Sequence, residues 1–250
     1  MGDFYFMSLP HLNRTYKNDA LSFLKLLPDE SIDLVIVDPA YNSMNKWRGV
    51  GTTARMGMGK KGSGSDDRAK FFETIPDSDL PDFVYQLYRV LKNERHCYIF
   101  SDWETLKLIY QFAITELVWP ARKVSGVWVE PFKPLIWDKV HNGMGYTYRC
   151  RHEYILFLWK GKKRRLNNLG IPDVLSFPRV APSKSKVPTQ KPDPLIELLV
   201  SQSSQEGEIV LDCFMGSGTT ARACKNLGRQ WLGCDIEQRH VDYSNELRLL

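Results

Sequence analysis

Short apolar runs alternate with amphipathic stretches along this chain. Asp33-Leu34-Val35-Ile36-Val37 is continuous and apolar, the pattern of a strand buried on both faces. Pro39 cannot continue a central strand, so Asp38 stands at that strand's carboxyl end. Before it, Asp19 can cap a short helix with Leu21, Leu24 and Leu27 on one face, ended by Pro28-Asp29-Glu30-Ser31. Pro81 to Leu91 and Trp103 to Glu116 have helical spacing, and His96 to Ser101 lies between them as a strand. Leu135–Trp137 and Tyr154–Trp159 read as strands. Near the C-terminus the order is helix (Asp193 to Ser201), strand (Ile209 to Asp212), helix (Thr219 to Leu227) and strand (Gln230 to Cys234, ending in Asp235). This alternation predicts an α/β domain with a mostly parallel sheet and helices on both faces.

Two segments break the pattern. Residues 43–70 carry Gly49, Gly51, Gly57, Gly59, Gly62 and Gly64 among Arg, Lys and Met, and read as a long mobile loop. From Lys160 to Lys191 there are nine Lys or Arg against one acid, Asp173, although the whole chain of 250 residues carries only +5. Prolines 172, 178, 182 and 188 preclude long elements there. Such a strip is a solvated face or a footprint for phosphates. The apolar runs are far too short to span a bilayer, and no signal peptide is evident. Five widely spaced cysteines without a Cys-x-x-Cys pair read as reduced thiols in a cytosolic protein.

Two constellations carry chemistry. In Asp212-Cys213-Phe214-Met215-Gly216-Ser217-Gly218-Thr219-Thr220 a strand ends, a Gly-rich turn follows and a helix begins. Glycines admit a close ligand, and the helix start offers free N–H groups. Seventeen residues beyond Gly218 a second strand ends at Asp235, whose carboxylate can accept both hydroxyls of a ribose. The pattern predicts a nucleoside-containing cofactor. Gly216-x-Gly218-x-x-Ala221 fits the nicotinamide fingerprint formally, but the chain continues only 15 residues past Asp235. The remaining strands must therefore come from the N-terminal part, in a circularly permuted order. A P-loop fails, with Ala54 and Lys61 at positions that need Gly and Ser or Thr. The second constellation is Asp38-Pro39-Ala40-Tyr41. A carboxylate, a carbonyl and an aromatic ring at one strand end suit a planar amine; taken alone the tetrapeptide also fits a surface turn.

Asp38-Pro39-Ala40-Tyr41-Asn42 followed late in the chain by Gly216-Ser217-Gly218-Thr219-Thr220 resembles the β-group amino-methyltransferases of DNA. Arg89-Val90-Leu91-Lys92, Ile136-Trp137-Asp138-Lys139, Arg151-His152-Glu153-Tyr154 and Pro188-Thr189-Gln190-Lys191-Pro192 are similar to further landmarks in the family's order. Ala40 replaces a usual second Pro, and Cys213 replaces the Pro that usually follows the Asp.

The resemblance implies a Rossmann-like, circularly permuted methyltransferase fold with a seven-stranded sheet. Residues 1–160 would form its catalytic part, 161–187 a basic DNA-recognition segment and 188–250 its cofactor part. It implies S-adenosylmethionine as cofactor, no metal, and transfer to adenine N6 of a base flipped out of double-stranded DNA. Cytosine N4, an RNA substrate and a catalytically weak binding module are the alternatives. Asp38 and the Pro39 carbonyl would hold the amine, and Tyr41 would stack on the base. Phe214, Gly216, Ser217, Gly218, Thr219 and Asp212 would line the cofactor, with Asp235 at its ribose, Asp19 at the adenine end and Lys191 at the methionine end. Lys46, Arg48, Arg149, Arg151, Lys162, Lys163, Arg164 and Arg165 are candidate DNA contacts. A bacterial or phage-encoded cytoplasmic enzyme, a homodimer and a restriction endonuclease partner complete the expectation.

Overall fold

The structure is a computed structural model that describes residues 8–40, 74–115, 119–124, 127–143, 148–162, 164–185, 187 and 189–248. Ten strands and six α-helices are assigned among them. The strands are β1 (Arg14–Lys17), β2 (Ile32–Val37), β3 (Leu91–Ser101), β4 (Arg122–Val124), β5 (Val127–Val129), β6 (Phe132–Asp138), β7 (His152–Trp159), β8 (Val174–Ser176), β9 (Ile209–Asp212) and β10 (Gln230–Asp235). The helices are α1 (Ala20–Leu26), α2 (Leu80–Val90), α3 (Trp103–Tyr110), α4 (Asp193–Ser203), α5 (Thr219–Asn226) and α6 (Gln238–Asn245).

Eight strands form one sheet in the order β1-β10-β9-β2-β3-β7-β6-β8, and β4 and β5 form a separate hairpin. Every neighbouring pair in the large sheet is parallel except the two involving β7, which is antiparallel to β3 and to β6. The expected count was seven. The eighth is β8, three residues from the proline-rich basic segment that add to the outer edge of β6. Strands from both ends of the chain are neighbours: β2 pairs with β9 (Val35 with Leu211), and β1 with β10 (Lys17 with Asp235). This is the permuted arrangement, with the Gly-rich turn of β9 brought beside the Asp38 strand.

All six residues of β2 are buried because both faces of the sheet are covered. On one face Val35 and Val37 pack with Phe23 and Leu24 of α1, Phe83 and Leu87 of α2 and Ile109 of α3. On the other, Leu34 and Ile36 pack with Leu195 and Leu199 of α4 and Ala221 of α5. Each fully buried aliphatic side chain contributes about 1.5–3 kcal/mol of transfer free energy. Asp19 caps α1 by accepting from the Ser22 amide at 2.8 Å. At the other end of α1, Arg89 donates to the carbonyls of Leu24 (2.7 Å) and Leu27 (2.8 Å) and pairs with Asp29 at 2.6 Å. Helix α3 reaches Tyr110 and widens into a π-helical turn over Gln111–Thr115 rather than continuing as α-helix.

Parallel strands give the sheet two unlike edges. The amino edge is closed by ion pairs: buried Asp33 accepts from Lys92 (2.9 Å) and Arg95 (3.2 Å), and Arg95 also reaches Glu208 at 2.9 Å. Burial works to raise the Asp33 carboxyl, but these cations and the Ile209 amide outweigh it and hold it down. The carboxyl edge, where β2, β3, β9 and β10 end, gathers the candidate chemistry.

Candidate active site

Register places four side chains on one face at that edge. β2 and β3 pair Val37 with Ile99, so Asp38 falls opposite Phe100. β7 pairs Ile155 with Phe100 and Glu153 with Trp137 of β6. Lys191, arriving just before α4, lies over this row. Its ammonium donates to Asp38 Oδ2 and stands 3.4 Å from Glu153 Oε2, with the rings of Phe100 and Trp137 at 5.0 and 5.8 Å. Glu153 in turn accepts from Lys139 at 2.7 Å. Burial pushes the Lys191 ammonium down, yet Asp38 and then Glu153 pull it above its ordinary value. Burial likewise pushes the Glu153 carboxyl up, but Lys191 and Lys139 win and lower it. The ammonium therefore stays charged, shared between two carboxylates.

The Gly-rich turn adjoins this row. Asp212 accepts from the Phe214 amide (2.9 Å) and the Thr220 hydroxyl (2.6 Å), which fastens the turn to α5. Gly216 and Gly218 have φ of +52° and +75°, a region that side chains resist. A side chain at 218 would also press within 3.2 Å of Ser244. One at 216 would occupy the gap between the Phe214 carbonyl and a Val187 methyl. Ser217 and Thr219 bond each other at 2.9 Å, and Arg222 braces both residues while pairing with Asp193 at 2.6 Å. Phe214 meets Phe83 edge-on at 5.8 Å.

Asp235 ends the neighbouring strand. Its Oδ2 accepts from the Gly216 amide at 2.8 Å; Oδ1 accepts from the Glu237 amide at 2.9 Å and is bonded to His240 Nδ1 at 3.0 Å. Asn18 donates to the Asp235 carbonyl at 3.2 Å, so Asp19 sits beside this strand end. Asp19 is held below its ordinary value, burial being outweighed by the bonds from Ser22. Asp212 moves the other way, to about 7. Burial is the main cause, only partly offset by Thr220 and Phe214, and the charges of Asp38 and Asp235 add to it. Asp212 thus feels both strand ends, which places the two constellations within one electrostatic site.

The basic candidates separate. Lys139 follows β6, and Arg149 and Arg151 precede β7, all at the carboxyl edge. Arg151 grips Asp138 with two bonds of 2.6 and 2.8 Å and holds that carboxyl at about 2. Arg149 donates to the carbonyls of Gly143 and Asn142. Arg179 is fixed to the same edge by its amide on the Lys139 carbonyl and by a 3.2 Å contact to His141, and Lys184 follows it. Among the described residues, this edge gathers the cations of Lys139, Arg149, Arg151, Arg179 and Lys191 beside the carboxylates of Asp38, Asp138, Glu153, Asp212 and Asp235. Lys162, Arg164 and Arg165 are elsewhere. Antiparallel β7 carries the chain from Tyr154 beside Ser101 to Trp159 beside His96, at the amino edge. There Lys160 donates to the Tyr88 and Leu91 carbonyls, and Arg164 pairs with Glu208 at 3.5 Å. The structure does not bring Lys162, Arg164 and Arg165 to the edge that holds Asp38. Tyr41, Lys46, Arg48 and Lys163, like the 43–70 loop, lie outside the described residues.

Asp38, Pro39, Asp19, Asp212, Phe214, the Gly216–Thr219 turn, Asp235 and Lys191 converge. Lys191 does so on Asp38, whereas the resemblance assigned it to the methionine end of the cofactor. Glu153, Lys139 and His240 belong to the same edge but had no assigned role. Glu153 and Lys139 stand in landmarks that the resemblance had already picked out, and Glu153 is also a carboxylate at the start of a mostly apolar strand.

A family model described as DNA methylase, for N6 and N4 amino groups, matches residues 32–246. The type II methyltransferase M.HpaI of Haemophilus parainfluenzae is 30% identical over 253 residues, covering 92% of this chain and 72% of its own length. Among solved structures, the M1.HpyAVI–SAM complex superimposes with a TM-score of 0.61 at 22% identity, over 94% of this chain and 98% of the other. The cytosine-N4-specific PvuII DNA methyltransferase gives 0.65 at 14% identity, over 94% and 86%.

Proposed function

Because the chain belongs to the N6/N4 DNA methylase family, we propose that it transfers a methyl group from S-adenosylmethionine to the exocyclic N6 of adenine in DNA. The observation that carries this reading is the convergence of Asp38 with the Gly216–Thr219 turn at one edge of one sheet. The residues suit that cofactor. Of roughly four acceptor positions on the Asp235 carboxylate, the bonds described use three, which leaves one on Oδ2 for a ribose hydroxyl. The start of α5 offers N–H groups, and Asp212 supplies a carboxylate matched to a cationic ligand. When bound, the sulfonium supplies an activated methyl group.

Asp38 and the Pro39 carbonyl act on the amine. An aromatic amine is conjugated with its ring and is a poor nucleophile. Two acceptors on its N–H groups draw density onto nitrogen and stabilise the positive charge that develops there, worth about 2.7–4 kcal/mol for a preorganised contact of this kind. Pro39 is buried, and its ring restricts the backbone that carries this carbonyl. The target must leave the duplex, since its amine is otherwise paired. Tyr41 is assigned its stacking role by resemblance alone. The cations at the carboxyl edge, Arg149 and Arg179 among them, would take the flanking phosphates.

Adenine is preferred to cytosine N4 because the motif begins with Asp38, where the resembling cytosine enzymes mostly carry Ser. A restriction endonuclease of the same sequence specificity is the proposed counterpart, in a bacterial cytoplasm. The test is transfer of label from methyl-labelled cofactor to plasmid DNA. Incorporation by the wild type, lost in Asp38→Ala with cofactor binding retained, supports the reading. Equal incorporation by Asp38→Ala overturns it.

A further inference from the structure

Lys191 is bonded to one oxygen of the carboxylate on which the target amine would act. Its ammonium donates to Asp38 Oδ2, and its side chain is only 9% exposed, so it cannot simply swing into water. A desolvated cation that leaves one carboxylate requires another. Glu153 Oε2 is already 3.4 Å away on the other side, and its other oxygen is tied at 2.7 Å to Lys139. The faces of Phe100 and Trp137 line the ammonium's surroundings and favour a cation. Lys139, Glu153, Lys191 and Asp38 alternate in sign along this row.

We propose that Glu153 is a positioning residue: it is the second seat of the Lys191 ammonium, which moves off Asp38 when the target amine bonds there. The consequence is electrostatic. With Lys191 still on Asp38, its positive charge opposes the positive charge growing on the amine nitrogen and cancels much of the carboxylate's help. Seated on Glu153, the ammonium is neutralised, and Asp38 is left to the amine. Among the described residues, the charged groups around Asp38 in this exchange are Lys191 ahead of α4, Glu153 of β7 with its partner Lys139 after β6, and Asp212 of β9. This inference rests on the amino-methyltransferase reading.

The experiment compares single-turnover methyl transfer at saturating cofactor and DNA in the full chain, with cofactor and DNA affinities measured separately. Glu153→Gln keeps the shape and a bond to Lys139 but removes the charge. Glu153→Asp keeps the charge and shortens the reach. The expected order is wild type, then Glu153→Asp within about tenfold, then Glu153→Gln lower by about 30-fold or more, with affinities within about threefold throughout. A merely structural role gives the reverse order, Glu153→Gln outperforming Glu153→Asp, and overturns the proposal. So does a Glu153→Gln rate within twofold of wild type. If Glu153→Gln does not fold, Glu153→Asp carries the test: its single-turnover rate falls about two- to tenfold below wild type with affinities within about threefold, and a rate equal to wild type contradicts the mechanism. Failure of the wild type to methylate DNA would instead refute the underlying function.

Discussion

Asp212 should make this protein less stable as pH rises, and replacing it should remove that slope. In the folded chain its carboxyl titrates at about 7, chiefly because it is buried, against 3.8 for an unburied aspartate. Between those values the folded state binds a proton that the unfolded state has released, so stability falls from about pH 4 to about pH 7 and is then level. At about 1.4 kcal/mol for each tenfold in proton affinity, ionising Asp212 in the folded protein costs about 4 kcal/mol by pH 8. Asp212→Asn imitates the protonated side chain and retains an oxygen for the Phe214 amide or the Thr220 hydroxyl. Urea unfolding of both proteins at pH 4, 5.5, 7 and 8 gives their difference, which cancels the other titrating groups. The two should be close at pH 4, with Asp212→Asn gaining about 2–4 kcal/mol by pH 8. The same variant should bind the cationic cofactor more weakly, because the carboxylate that is costly in the empty site is the one the cation stabilises. Parallel pH dependences for the two proteins would refute this account of Asp212.

Arg89→Met removes charge-assisted bonds to the Leu24 and Leu27 carbonyls and should cost about 2–4 kcal/mol in urea unfolding, without altering cofactor affinity in the folded fraction. Neutralising Arg149, Arg179 and Lys184 together should lower the salt slope of DNA binding by up to about 2.7, at about 0.9 per phosphate contact. Neutralising Lys162, Lys163, Arg164 and Arg165 should lower it less, and the opposite ranking would return the DNA surface to the amino edge. Ser203→Ala should cost about 1–3 kcal/mol, read as a lower melting temperature, because Ser203 bonds both Tyr98 (2.7 Å) and His96 (2.8 Å) in the interior.

The buried strands β2 and β9 were legible because parallel strands covered on both faces need unbroken apolar residues, and little else produces such runs. β1, with the sequence RTYK, has no such run. It is a strand because β10 offers a parallel edge and because Asn245 bonds both the amide and the carbonyl of Thr15 at 2.9 Å. α6 was missed for a similar reason: its polar sequence buries only His240, Val241 and Ser244. In the site, Asp38 and the glycine turn announced themselves through local motifs. The pairing of Lys191 with Asp38 and Glu153 did not, since it joins residues 153 and 38 positions apart that only the sheet register aligns. That Lys162, Arg164 and Arg165 lie at the amino edge was not legible, because net charge does not say at which end of a strand a segment emerges. That depends on β7 being antiparallel, a property of the whole sheet.

The central claim is that Asp38 and its neighbours methylate an exocyclic amine of DNA, with adenine as the base. Nucleoside mass spectrometry of DNA incubated with the protein and methyl-labelled S-adenosylmethionine tests it most directly. The account predicts label in N6-methyladenine. Label in N4-methylcytosine alone would contradict the choice of base, and label in neither nucleoside would contradict the account.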